Sequence, residues 1–203
     1  MKNLDFFAKI APRRDKWKKR NRYYWKDLEN FCAYLVPENA SVLEVGCGTG
    51  DLLANLHSKD KTGIDFSPRM VEIAKKKYPE ISFFAMEAEG IALEKKFDYI
   101  ILSNTIGYID DIQKVFQELH KVSHANTKIV VTYYNFLWQP FLVFAEKIGL
   151  RMKQPEQNWL SRADIKNLLF LAGFDAYKEG ERLVFPFYIP LLSTFLNKYF
   201  AKF

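Results

Sequence analysis

Two stretches of this chain have the residue types and spacing of ligand chemistry. The first is Val42-Leu43-Glu44-Val45-Gly46-Cys47-Gly48-Thr49-Gly50-Asp51-Leu52-Leu53, where an apolar run breaks into alternating glycines and resumes as Leu52, Leu53 and Leu56. That pattern reads as a buried strand, a tight turn and the start of a helix. Without side chains at Gly46, Gly48 and Gly50 the backbone can bend sharply and a ligand can lie against it, while the helix start offers unpaired N–H groups. The second is Asp65, which closes the short strand Thr62-Gly63-Ile64-Asp65 roughly 20 residues after Gly46. A carboxylate at a strand's carboxyl end accepts two hydrogen bonds from a vicinal diol and repels a 2′-phosphate. The expected ligand is a nucleoside. A dinucleotide fingerprint would need glycine or alanine at position 51, and Asp51 stands there, so the pyrophosphate reading fails.

These groups are positioned by an alternation of strands and helices. Ser67-Pro68 opens a helix as cap and first residue, with Met70, Ile73 and Ala74 following. Ile81 to Ala85 is the third strand. Phe97 to Asn104 is the fourth, nearly continuous in apolar residues as a strand covered on both faces should be. Asp111 to Val122 reads as an amphipathic helix, Lys128 to Tyr134 as strand five, and Ser161 with Asp164 as the capping box of a helix that Gly173 ends. Strand six and a reversed strand seven fall within Asp175 to Phe187. Before the sheet, Phe6, Phe7 and Ile10 precede a break at Pro12. A basic and aromatic helix then runs through Trp17, Tyr24, Leu28, Phe31 and Leu35 until Pro37. This segment is either a lid over the ligand, with Tyr23 or Arg20 touching it, or a packed helix with a solvated basic face.

The alternating glycines with Glu44 before them resemble motif I of the class I S-adenosylmethionine-dependent methyltransferases, close to the bacterial methyltransferase-domain families of types 11 and 12. The resemblance extends over most of Ala40 to Phe187. It implies an α/β, Rossmann-like open parallel sheet of about seven strands, the last reversed, with helices on both faces. It implies S-adenosyl-L-methionine as cofactor, S-adenosyl-L-homocysteine as product, and cofactor contacts from Glu44, Gly46, Cys47, Gly48, Gly50 and Asp65. Phe66 and Met70 fall beside the adenine, Met70 being equally readable as core. Glu87 takes the place of an acid that accepts from the adenine amino group, helped by the N–H of Ala88. Ser103 falls where backbone holds the methionine part. Thr105 to Ile109 should line the methyl's path. Arg13-Arg14-Asp15-Lys16-Trp17, Gln157-Asn158-Trp159-Leu160-Ser161 and Phe187 to Ser193 are similar to a bacterial subgroup found with sugar-transfer and cell-envelope genes.

Composition narrows the partners. With 203 residues, 49% of them apolar, the chain can bury one substantial core, and a single domain over 1–203 is expected, residues 1–40 forming a helical arm. The net charge of +6 is local: Lys9 to Lys26 holds nine basic residues against one acid, leaving the rest of the chain at −2. A nearly neutral body argues against a nucleic-acid enzyme, and the loop after strand four lacks the Pro-Pro-Tyr and Pro-Cys motifs of base methylation. Two separated cysteines, Cys32 and Cys47, make no disulfide framework or metal site. His120 and His124, four apart, read as helix-end surface residues. The longest apolar runs fall short of a membrane span, and Met1 to Asp15 carries charges where a signal peptide is apolar, so a cytoplasmic protein is expected. Residues 188–203 form one apolar helical stripe that packs on the body, in a dimer, or on a membrane surface. The chain is then a monomer or homodimer with a peripheral membrane contact available to it.

The acceptor expected is a small molecule, a saccharide or a lipid-linked molecule, in a pocket drawn from Tyr133, Tyr134 and Trp138 unless these aromatics are core. Tyr108, Asp110 and Glu156 are the candidates for a base if an oxygen is methylated. The competing reading is a non-catalytic S-adenosylmethionine-binding partner or regulatory protein.

Overall fold

A computed structural model describes residues 3–181. Five parallel strands, β1 (Ser41–Val45), β2 (Asp60–Asp65), β3 (Ser82–Ala85), β4 (Phe97–Ser103) and β5 (Ser123–Thr132), form one sheet in the order β3-β2-β1-β4-β5. The order reverses between β1 and β4, so the carboxyl ends of these two strands open a crevice at the switch point. Alternate residues of each central strand serve opposite faces. Leu43, Val45, Ile100 and Leu102 join one core with helices α5 (Ile112–Glu118) and α7 (Arg162–Leu171). Val42, Tyr99 and Ile101 join the other, with α2 (Arg22–Leu35), α3 (Asp51–Asn55) and α4 (Pro68–Lys77). Helices therefore cover both faces, as the apolar strands require.

The sequence expectation of about seven strands meets five among the described residues. Asp175 to Glu181 contains no strand, and the remainder of the segment expected to hold strands six and seven lies outside the described residues, as does the expected helix 188–203. The capping box of α7 is formed as expected: Ser161 Oγ accepts from Asp164 N, and Ser161 N donates to Asp164 Oδ2 at 2.8 Å. Gly173, at φ +82°, ends that helix.

The N-terminal arm differs from its expected layout. Helix α1 (Leu4–Arg20) runs straight through Pro12, and the break comes at Asn21 before α2. Proline at position 12 removes one main-chain bond. Burial of Phe7 and Ala11 against Met70 of α4 outweighs that loss. Asn21 leaves helical geometry while its N–H donates to the Trp17 and Lys18 carbonyls.

Charge fastens the arm to the sheet. Asp51, the residue that excluded a pyrophosphate site, opens α3 and takes Lys18 of α1 at 2.8 Å and Lys77 of α4 at 2.5 Å, while the Tyr78 hydroxyl donates to it at 2.9 Å. Lys77 also reaches Asp15 at 2.8 Å, and Asp15 accepts from Thr49 Oγ1 at 2.9 Å. Burial opposes ionisation of Asp51, yet Lys18 and Lys77 hold its carboxyl well below the usual carboxylate range. A depressed carboxyl pKa means stability that is present at neutral pH and lost as pH falls below the unfolded-state value. Asp51→Asn should therefore lower the melting temperature at pH 7 by roughly 3–8 °C. Thermal melts of variant and wild type should draw together progressively as the pH falls below about 4, the unfolded-state value.

Candidate functional site

The glycine turn is held from two sides. Gly46 N and Cys47 N both donate to the Ile64 carbonyl, at 2.8 and 3.0 Å, tying the turn to β2. Asp65 then spans it: Oδ2 accepts from Gly48 N at 2.8 Å and Oδ1 from Ser67 N at 2.9 Å. Burial raises the Asp65 pKa, and the two backbone N–H groups pull it back. Gly46 and Gly48 lie at φ +78° and +54°, backbone that other L-residues rarely adopt. A Cβ on Gly46 would fall 2.4 Å from the Thr105 side chain, and one on Gly48 would fall 2.9 Å from Arg14 Nε.

A cavity open to solvent lies beside this turn. Of the sequence candidates it brings together Gly46, Asp65, Phe66, Glu87, Ala88, Tyr108 and Asp110, with Thr105 and Ile109 completing one wall. Helix α1 roofs it. Asn3 lines the cavity, and the Phe7 ring stands edge-on to Phe66 at 5.3 Å and to Tyr108 at 5.2 Å.

Other candidates sit behind or away from this surface. Cys47 is buried in the α3-side core, where burial raises its thiol pKa, and Met70 lies in the core under Phe7. Gly48 and Gly50 shape the turn without lining the cavity. Ser103 receives a long hydrogen bond from Thr132 Oγ1 at 3.4 Å. Tyr23 and Glu156 line neither this cavity nor the second one, and Arg20 lies exposed over the Trp17 ring. His120 bonds the Ala172 carbonyl and stacks on Phe174, and His124 bonds Asp98.

Glu44 is buried on the α1 side of β1. Its Oε2 has no hydrogen-bond partner, and burial pushes its pKa up to about 8 against the pull of Lys18 and Arg14. Arg14 Nε is likewise buried and unpartnered. A guanidinium nitrogen and a carboxyl oxygen are thus both buried without a partner, the first of them beside Gly48, although neither residue lines the cavity.

A second cavity shares Tyr108 with the first and is otherwise bounded by Asn104, Ile106, Gly107, Tyr133, Tyr134 and Gln157 to Leu160. Tyr133 and Tyr134 were expected at such a site; Trp138 is not among its walls. Asn104 is the one non-glycine residue at positive φ, +53°, among the described residues, a conformation asparagine tolerates better than most side chains. Its Nδ2 donates to the Tyr24 hydroxyl at 2.7 Å while Oδ1 is buried without a partner. Tyr24 stacks on Tyr134, whose ring lies under the Arg151 guanidinium. The Tyr108 hydroxyl donates to Gln154 at 2.9 Å and accepts from Gln157.

Sequence reasoning missed Phe7, Arg14, Tyr24 and Asn104 as site residues. Gly48→Ala gives the turn its test. The forced left-handed residue should cost about 1–2 kcal/mol, and its methyl should displace Arg14. Calorimetry should then show S-adenosylhomocysteine binding at least about tenfold weaker, a loss of 1.4 kcal/mol or more, in a chain that still melts cooperatively.

The family model described as "Methyltransferase domain" matches residues 37–169, well over half of the chain. Among curated relatives, a malonyl-[acyl-carrier protein] O-methyltransferase of Ilyobacter polytropus is 31% identical over 130 residues, covering 61% of this chain and 48% of the relative. A demethylmenaquinone methyltransferase of Chlorobaculum tepidum is 37% identical over 89 residues, 40% of this chain and 35% of the relative. The chain spans about half the length of the first of these. In fold, it matches a S-adenosylmethionine-dependent methyltransferase of Thermotoga maritima with a TM-score of 0.74 at 21% identity, over 92% of this chain and 88% of the other. A methyltransferase solved in complex with the Trm112 activator of Haloferax volcanii gives the same TM-score at 18% identity, over 93% and 85%. With its glycine turn at the switch point of a parallel sheet and this match across its body, the chain belongs to the methyltransferase-domain family of class I S-adenosylmethionine-dependent enzymes.

Proposed function

We propose that the chain moves the methyl group of S-adenosylmethionine to a small-molecule, saccharide or lipid-linked acceptor, the cofactor lying in the first cavity and the acceptor in the second. The observation that carries this reading is the unpartnered pair at the glycine turn, Arg14 Nε and Glu44 Oε2. A buried charged group without a partner is costly. The amino-acid end of S-adenosylmethionine bears one carboxylate, which suits Arg14, and one ammonium, beside which the buried Glu44 carboxyl would ionise, so the residues present fit the cofactor. Asp65 keeps a second lone pair on each oxygen for the ribose hydroxyls while it braces the turn. Phe66, Glu87 and Ala88 wall the adenosine end.

When bound, the cofactor supplies a methyl group already activated by its sulfonium, leaving the protein to align the acceptor and exclude water. Phe7, packed on Phe66 and Tyr108, closes the roof against water. Tyr108 divides the two cavities. Burial holds its phenol far above neutral pH, so it stays protonated, fixed by Gln154 and Gln157, and serves as a wall in place of the base considered from sequence. Asp110 is exposed on the rim of the first cavity, on the cofactor's side of Tyr108, and does not border the acceptor cavity. Glu156 lines neither cavity.

The basic arm does not require a nucleic-acid acceptor. Lys18 is committed to Asp51 and to the Trp25 ring, so the arm's charge is partly spent on its own body. The relatives' named acceptors, malonyl-acyl-carrier protein and demethylmenaquinone, are not nucleic acids either.

The test incubates the purified protein with methyl-labelled S-adenosylmethionine and bacterial envelope lipid or saccharide fractions. Label should enter one of these fractions with wild type. It should fall at least about tenfold with Arg14→Ala at limiting cofactor, and recover in part with Arg14→Lys. Tight S-adenosylhomocysteine binding with no transfer to any fraction would instead favour a non-catalytic cofactor-binding partner.

A further inference from the structure

Helix α6 (Gln139–Lys147) and the turn before it present an apolar stripe that the proposed chemistry leaves unused. Leu137, Phe141, Phe144 and Ile148 are 64%, 66%, 61% and 52% exposed, whereas Leu142 and Ala145 on the inner side are each 7% exposed. Steps of four, three and four residues bring the exposed four onto one face. Single exposed leucines need no explanation, but a contiguous stripe of large side chains marks a surface that meets something apolar.

Its surroundings indicate what that is. Trp138 packs on Phe141 with ring centroids 5.6 Å apart. Lys147 and Lys153 are exposed and in no ion pair among the described residues, and Glu146 is taken by Arg151 at 2.6 Å. Apolar and aromatic side chains on a helix with these exposed lysines at and beyond its end suit an anionic lipid surface. A second copy docked symmetrically on the same patch would bring like charges together. A helix of nine residues is about 14 Å long, under half the hydrocarbon thickness, so it can lie only in the plane of the interface. No helix among the described residues is long and apolar enough to cross a membrane.

We infer that the α6 stripe seats the protein on an anionic lipid surface. Tyr133 and Tyr134, in the wall of the second cavity, precede Leu137 by only a few residues, so docking there holds that cavity beside the lipid. The docking stands apart from the proposed chemistry, and the two can fail separately.

Co-sedimentation of the full chain with phosphatidylcholine vesicles, with and without phosphatidylglycerol, tests it against the double variant Phe141→Glu/Phe144→Glu. Wild type should bind the anionic vesicles and bind pure phosphatidylcholine weakly. The variant should bind anionic vesicles at least about tenfold more weakly, with S-adenosylhomocysteine affinity unchanged as proof of its fold. Absence of wild-type binding, or undiminished binding by the variant, would overturn the inference. So would a wild-type dimer in sedimentation velocity that the variant dissolves, because the stripe would then be an interface between copies. Loss of cofactor binding in wild type itself would strike the proposed function and leave the docking result standing.

Discussion

The carboxylate of Asp65 is the constraint on which this structure turns. Its two oxygens accept from Gly48 N after β1 and Ser67 N after β2, so a single buried acid sets the glycine turn and starts the helix that follows β2. The turn in turn fixes the first cavity through Gly46, whose missing side chain lets Thr105 approach from the end of β4. Three strand ends are thus brought to one crevice by contacts among main-chain groups and very short side chains. Such contacts are stiff, and a stiff crevice is what methyl transfer needs from a protein that contributes alignment more than acid or base.

The roof is attached differently. Helix α1 lies over the crevice on two kinds of contact: aromatic edges from Phe7, and the linked charges Lys18, Asp51, Lys77 and Asp15. These ion pairs are part-buried, with side-chain exposures of 14% for Lys18 and 18% for Asp51, so salt screens them less than surface pairs. Asp51 stands where a pyrophosphate-binding turn would have glycine or alanine. The same residue therefore closes the site to a dinucleotide and anchors its cover.

What the sequence made legible is what is local in it. The turn, Asp65, Phe66, Glu87 and Ala88 each sit at the end of a strand whose apolar run can be read directly, and all but the rear face of the turn meet in one cavity. Arg14 and Asn104 were hidden because their roles come from distant contacts: Arg14 meets Gly48 across 34 positions and Asn104 meets Tyr24 across 80. Tyr23 and Tyr24 show how fine the distinction is. One residue along a helix is a rotation of about 100°, and it is Tyr24 that points at Asn104. Pro12 misled for the opposite reason, since packing of Phe7 and Ala11 overrode a local breaker. Tyr108 stood out by position, and the sequence carries no sign of its hydrogen bonds to Gln154 and Gln157, which lie 46 and 49 residues further on.

The central claim is that Asp65 holds the glycine turn in its ligand-binding form. Titration calorimetry of S-adenosylhomocysteine into wild type and Asp65→Ala tests it most directly, with amide hydrogen exchange at Gly48 followed in both. The account predicts a folded variant in which the Gly48 amide exchanges faster and affinity falls at least about a hundredfold, the loss of two charge-assisted hydrogen bonds. Wild-type affinity in a folded Asp65→Ala chain, with Gly48 still protected, would contradict it.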